Sequence, residues 1–252
     1  MWAWLHRLGS PKRFYGWSGA LARWSGWLSL LLGAAGLYYS LFDSPPDYQQ
    51  GESVRVMYVH VPAAWLSMFV YMSIAAASLV SLVWRIKVAD MVAAASAPIG
   101  AWFTFLALAT GSLWGKPMWG TWWIWDARLT SELILLFLYL GYIGLLAAIE
   151  ERDTAARAAA VLALVGVVNI PIIHYSVEWW STLHQGATVT KFDKPSIDLD
   201  MLRPLLLMAL SATLFYVAVV LRLARCELLE RERDSQWVRA LVDGRQGGES
   251  AR

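Results

Sequence analysis

Four tryptophans fall within seven residues, Trp119, Trp122, Trp123 and Trp125, with Trp114 shortly before them and Asp126 and Arg128 directly after. Indole faces beside a guanidinium suit a flat, apolar ligand that carries carboxylates, because rings pack on its plane and Arg pairs with an acid through two parallel hydrogen bonds. A porphyrin fits that description. His60, in YVHVPAAW, and His184, in WWSTLHQG, stand in separate segments. Meeting over the tryptophans as neutral imidazoles, they could supply both axial ligands of a haem iron. Each feature also has a plainer reading. Interfacial tryptophans form aromatic belts, Asp126 and Arg128 fit a mutual ion pair or a helix cap, and a single histidine at a helix end is commonly just hydrogen-bonded. The density of tryptophan and the pairing of histidines favour the ligand site.

The remaining candidates are weaker. His174, in NIPIIHYSVEWW, lies near Pro171 and Glu178; proline there kinks a helix and frees carbonyls, and His174 reads as a packing or hydrogen-bonding residue, with Glu178 as a partner or with a supporting role behind a ligand. His6 has no assigned role. The single cysteine, Cys226, excludes an internal disulfide, a CxxC pair and any cysteine-built metal or iron–sulfur site. Two histidines without cysteines or clustered carboxylates make a poor zinc or copper site, which ordinarily takes at least three protein ligands.

These residues must be positioned by membrane helices. Of 252 residues, 58% are hydrophobic and only 16% charged, against about 25% charged in soluble domains. Apolar runs at 24–42, 61–84, 91–114, 133–149, 158–177 and 205–221 are long enough, or nearly so, to cross the hydrocarbon. The expected fold is an all-α integral membrane protein: a single six-helix domain over 1–221 and a cytoplasmic tail, 222–252, that is helical and frays. The first run is longer than a signal-peptide core and reads as a retained anchor. Fifteen of the 21 Lys and Arg residues, Arg7, Arg85, Lys87, Arg152 and the arginines after Leu221 among them, fall on one side. Arg55, Lys116, Arg128, Lys191, Lys194 and Arg203 fall on the other. The positive-inside rule therefore puts both termini in the cytoplasm. The outer segments carry the aromatics, prolines and histidines, and the spacing of Trp119, Trp122 and Trp123 suggests a short amphipathic Trp-rich helix, within 114–132, lying at the outer face. A net charge of +2 without a basic, aromatic-interleaved stripe argues against nucleic acid as a partner.

The run WGTWWIWDARLTSE resembles the tryptophan-rich (WWD) signature of the haem-handling proteins of cytochrome c maturation. With HVPAAW, GSLWGKPMWG and PIIHYSVEWWSTLHQG, the chain is similar to the haem exporter or haem-delivery protein C (CcmC) family across residues 45–190. The resemblance implies a bacterial inner-membrane protein that binds haem b at the periplasmic face and delivers it to the periplasmic haem chaperone CcmE, in a complex with CcmA, CcmB and CcmD. It implies His60 and His184 as axial ligands, and Trp114, Trp119, Trp122, Trp123, Trp125, Asp126 and Arg128 as the haem- and chaperone-facing surface. Arg55, just before His60, is a further candidate partner for a haem propionate, beside a topogenic or loop-ordering role.

The resemblance further implies that a histidine of the chaperone becomes bonded to a haem vinyl group at this site. No acid–base constellation stands out, so the residues leave open whether the chain catalyses that bond or only presents the haem edge. A b-type cytochrome would need histidine pairs buried within spans. A transporter subunit coupled to ions would need ionisable residues near the midplane, and the six apolar runs contain no Asp, Glu, Lys or Arg.

Overall fold

The computed structural model describes residues 9–186, 189 and 194–249. His6, Arg7, Lys191 and Arg252 of the sequence reading lie outside them. The described residues form α1 (Pro11–Tyr38), α2 (Met57–Trp84), α3 (Lys87–Trp119), α4 (Ala127–Ala148), α5 (Arg152–Gly166), α6 (Asn169–Trp179), α7 (Leu199–Arg231) and α8 (Gln236–Glu249). A π turn over Tyr39–Asp43 prolongs α1, and a 3-10 turn over Glu52–Val56 leads into α2. Six segments are long and apolar enough to cross a membrane: Pro11–Asp43, Glu52–Trp84, Lys87–Trp119, Ala127–Ala148, Arg152–Trp179 and Leu199–Arg231. They follow the order of the six apolar runs, and most extend past them, because the helices continue through the polar zone at each end.

In a membrane, apolar side chains gain little by leaving lipid for protein, so helices associate through close packing and interhelical hydrogen bonds. The pairing of α1 with α7 follows that rule. Ser18, Ala22, Ser25, Ser29 and Gly36 are buried along one face of α1, while Trp24, Trp27, Leu30 and Leu31 on the other sides are exposed. Ser29 Oγ donates to the Ser211 carbonyl at 2.9 Å and Ser211 Oγ returns a bond to the Ser29 carbonyl at 2.8 Å. The bundle centre is built instead from large side chains of α2 and α4. Tyr71 and Tyr139 meet edge to face at 5.1 Å, with Ile74, Leu135 and Tyr142 fully buried around them, and Tyr139 donates its hydroxyl to the Ser67 carbonyl at 2.6 Å.

The fifth crossing is broken, as Pro171 suggested. Lacking an N–H, Pro171 cannot donate to the Val167 carbonyl, which accepts from the Ile170 N–H at 3.0 Å instead. Helix α6 restarts at Asn169, so Pro171 occupies a first turn where a missing donor costs little. At the far end of the bundle, Arg231 bonds Asp90 at 2.7 Å and Glu227 at 2.6 Å, and Arg152 approaches Glu227 and Glu230. The tail is helical over residues 222–231, as expected, and Arg231 ties it to the bundle through Asp90. It then turns into α8, whose Trp237 ring lies 5.7 Å from that of Tyr15.

Two substitutions test the α1–α7 contact by thermal unfolding in detergent. Ser29→Ala removes a hydrogen bond and is expected to cost about 0.6 kcal/mol. Ser29→Leu overfills the same spot and is expected to cost about 1–3 kcal/mol.

Candidate functional site

The site is organised along one face of the last turns of α3. Ala107, Thr110, Gly111, Trp114, Gly115 and Trp119 recur there at helical spacing. His60, near the start of α2, lies against this face. Its Nδ1 is 3.0 Å from the Ala107 carbonyl and 3.1 Å from Thr110 Oγ1. The Thr110 hydroxyl already donates to the Leu106 carbonyl at 2.6 Å, so Nδ1–H is the donor to Ala107 and Nε2 is left as the acceptor. Among the described residues Nε2 has no partner. A Cβ on Gly111 would stand 2.9 Å from His60 Cε1, so this approach requires a glycine. The imidazole meets the Trp114 ring edge to face at 5.6 Å, and Trp114 Nε1 donates to Gln50 Oε1 at 3.0 Å.

Helix α3 ends at Trp119 because Gly120 takes a left-handed conformation, φ 77°. The Trp-rich segment is not the short amphipathic helix expected from its spacing. Residues 120–126 form a non-helical strap between that cap and Asp126, too short to nucleate a helix of its own. Side chains hold it: Ser112 Oγ donates to the Trp122 carbonyl at 2.6 Å, Thr121 Oγ1 to the Trp123 carbonyl at 3.0 Å and Lys116 Nζ to the Gly120 carbonyl at 3.0 Å. Trp122 and Trp125 are exposed, at 54% and 76%. The rings do not share one plane: Trp123 and Trp125 meet at 75°. Among the described residues, the buried Trp123 Nε1 has no hydrogen-bond partner.

Asp126 settles one of the alternatives. Its Oδ1 accepts from the Leu129 N–H at 2.8 Å and caps α4, while Oδ2 lies 3.4 Å from His184 Nδ1. His184, in the connection after α6, meets the Trp119 ring at 4.8 Å. It therefore repeats the arrangement of His60: Nδ1 on an oxygen, a flank on an α3 tryptophan, and no partner for Nε2 among the described residues. Burial depresses its pKa, against the opposing pull of Asp126. His60, His184 and Arg128 are near enough to interact electrostatically, so the two imidazoles share one end of the bundle.

The other candidates engage other partners. Arg128 forms no ion pair with Asp126 among the described residues and donates to the Ile173 carbonyl at 3.0 Å. Arg55 spends Nε on Glu52 at 2.5 Å and Nη1 on the Ser40 carbonyl, the contacts of a loop-ordering residue. His174 is exposed and rests on Tyr175 at 4.7 Å; it has no bond to Glu178 among the described residues.

Glu132 was overlooked. It sits one residue before the apolar run at 133–149, yet α4 starts at Ala127, so this carboxylate lies inside the crossing and is buried. The crossings therefore do hold an ionisable residue, against the expectation from the apolar runs. Ser67 Oγ donates to Glu132 Oε1 at 2.7 Å, and the carboxylate interacts electrostatically with Arg128 one turn above. A lone acid inside a tryptophan-led helix start was the available signal. Glu132→Ala strips an acceptor from Ser67 and a counter-charge from Arg128, and is expected to cost about 1–3 kcal/mol in thermal unfolding; Glu132→Gln, which keeps the Ser67 bond, is expected to cost less.

Comparison with known proteins places this architecture. The family model described as heme exporter protein C matches residues 4–239. The chain is 52% identical over 242 residues to heme exporter protein C of Haemophilus influenzae, and 50% identical over 242 residues to that of Escherichia coli K12, covering 96% of this chain and 98% of each relative. It is 53% identical over 224 residues to the Bradyrhizobium diazoefficiens protein of the same name, covering 89% of this chain and 85% of that one. With a match over nearly its whole length and six helices fit to cross a bilayer, the chain is a multi-pass membrane protein that belongs to the heme exporter protein C family.

Proposed function

We propose that the chain handles haem for cytochrome c maturation, holding haem b between His60 and His184 at the end of the bundle that carries the tryptophans, and handing it to the periplasmic chaperone CcmE. One observation carries this reading: two imidazoles distant in the chain both commit Nδ1 to a fixed oxygen and, among the described residues, leave Nε2 without a partner. A hydrogen bond at Nδ1 fixes the tautomer and the ring orientation, and raises the basicity of the other nitrogen, as in metal-bound histidines. The rings are braced on Trp114 and Trp119, five residues apart on α3 and so about 7–8 Å along its axis.

The surroundings fit the same cargo. The buried Trp123 Nε1–H has no acceptor among the described residues, and a propionate would give it one. Arg128 brings a cation to the same place, with Arg55 as a further rim cation. The exposed Trp122 and Trp125 form the apolar edge where a chaperone would meet the macrocycle. With both axial positions filled by imidazole, the iron is kept from binding oxygen, and the protein acts as a holder. In this reading the lysine and arginine asymmetry puts both termini in the cytoplasm of a bacterial inner membrane, the tryptophan strap faces the periplasm, and CcmA, CcmB and CcmD complete a membrane complex.

The test is spectroscopy of the purified protein with and without CcmE. His60→Ala and His184→Ala are each expected to abolish the six-coordinate low-spin spectrum, and haem is expected to appear on the chaperone only with the unmodified protein. Unchanged low-spin spectra in both variants would remove the axial pair. A pH titration adds a second test. A folded-state pKa below the ordinary 6.5 or so means that the stabilisation from neutral His184 is complete above that pH and is lost as pH falls from it through the depressed value. Haem retention should therefore hold level down to about pH 6.5 and decline only below it; a midpoint on the alkaline side would contradict a buried neutral ligand.

A further inference from the structure

At the end of the bundle remote from the tryptophan strap, α1, α7 and α8 enclose an open hollow of about 510 Å3, whose lining includes Tyr15, Gly19, Arg23, Arg222, Arg225 and Leu241. Arg225 is built into its wall. The guanidinium lies 3.8 Å from the Tyr15 ring centroid, and Nη1 donates to the Tyr15 carbonyl and to Ser18 Oγ. Arg23 and Arg222 are exposed and, among the described residues, make no hydrogen bond or ion pair. Among the described residues no carboxylate lines the hollow. Three guanidiniums around one concavity repel one another, and an anion between them removes that cost.

Depth in the bilayer identifies the anion. Arg23 immediately precedes the apolar run 24–42 and Arg222 immediately follows the run 205–221, with Arg225 one turn further on. The three charges therefore occupy the zone at the edge of the hydrocarbon, Arg222 beside Gly26 and Arg225, further out, beside Gly19. Exposed Trp24, Trp27 and Leu223 flank them, so the hollow opens towards lipid at headgroup depth, where tryptophans anchor. We propose that this hollow binds the phosphodiester headgroup of an anionic phospholipid, held by Arg23 and Arg222 from α1 and α7 with Arg225 as the fixed cation behind them.

Native mass spectrometry of the full-length protein in detergent, offered equal amounts of phosphatidylglycerol and phosphatidylcholine, tests this. The unmodified protein is expected to retain phosphatidylglycerol preferentially. Arg23→Ala combined with Arg222→Ala should lower that preference roughly thirtyfold, from about 1 kcal/mol per arginine at an anionic surface. The Arg23→Lys, Arg222→Lys pair should keep much of it, which separates charge from folding. Excess inorganic phosphate should leave the lipid bound; complete displacement would mark a free-phosphate site and overturn the lipid assignment. Equal retention of the two lipids, or an unchanged preference in the double alanine variant, would also overturn it. Unchanged lipid preference together with loss of co-purifying membrane subunits would reassign the arginines to protein docking.

Discussion

An imidazole offers a metal only the ring nitrogen that its surroundings leave unused, and the arrangement at the tryptophan end of this bundle is governed by that constraint. His60 gives Nδ1 to a backbone carbonyl of α3, and His184 gives Nδ1 to the carboxylate that caps α4. Each anchor is itself part of a helix. The Ala107 carbonyl belongs to the α3 ladder, and Asp126 cannot leave His184 without also straining the cap on the Leu129 N–H. Backbone geometry thus sets the direction in which each Nε2 points. The glycine at 111 and the left-handed turn at Gly120 are conditions for it: one admits the His60 ring, and the other ends α3 where Trp119 can brace His184.

Polar groups inside the membrane follow a related logic. Several are tied to partners, although Ser78 Oγ is buried without one among the described residues. Glu132 accepts from Ser67, Tyr139 donates to a carbonyl, and Ser29 and Ser211 satisfy each other across α1 and α7. Water is absent at these depths, so the alternative to each bond is an orphaned group worth several kcal/mol. Charged and titratable groups cluster at the two rims. At one rim stand Arg128 and the histidines. At the other, an ionic network around Arg231 is accompanied by the arginine hollow between α1 and α7.

Much of this was legible in the residues. Six crossings followed from apolar run length, because a bilayer of fixed thickness demands about 20 apolar residues in each. The break near Pro171 followed from a missing N–H. The grouping of His60, His184 and the tryptophans followed from their residue types and their side of the membrane topology. The Trp-rich helix did not survive, since spacing alone cannot show that Gly120 ends one helix and Asp126 begins the next, leaving too few residues between them. Glu132 was missed for a related reason: hydropathy marks where charges stop, whereas helix α4 begins at its cap, a turn and a half earlier.

The sequence by itself determined which elements exist, where they cross and which side chains could bind a flat, charged, iron-bearing ligand, because these depend on local composition and on the properties of the bilayer as a solvent. Only the tertiary structure decided which nitrogen of each histidine is free, that Arg55 orders its own loop, that Arg128 turns to the Ile173 carbonyl, and that three arginines from two distant segments face one hollow. Those outcomes depend on distances between helices that touch across the bundle, and interhelical packing is a property of pairs of segments that no single stretch of chain encodes.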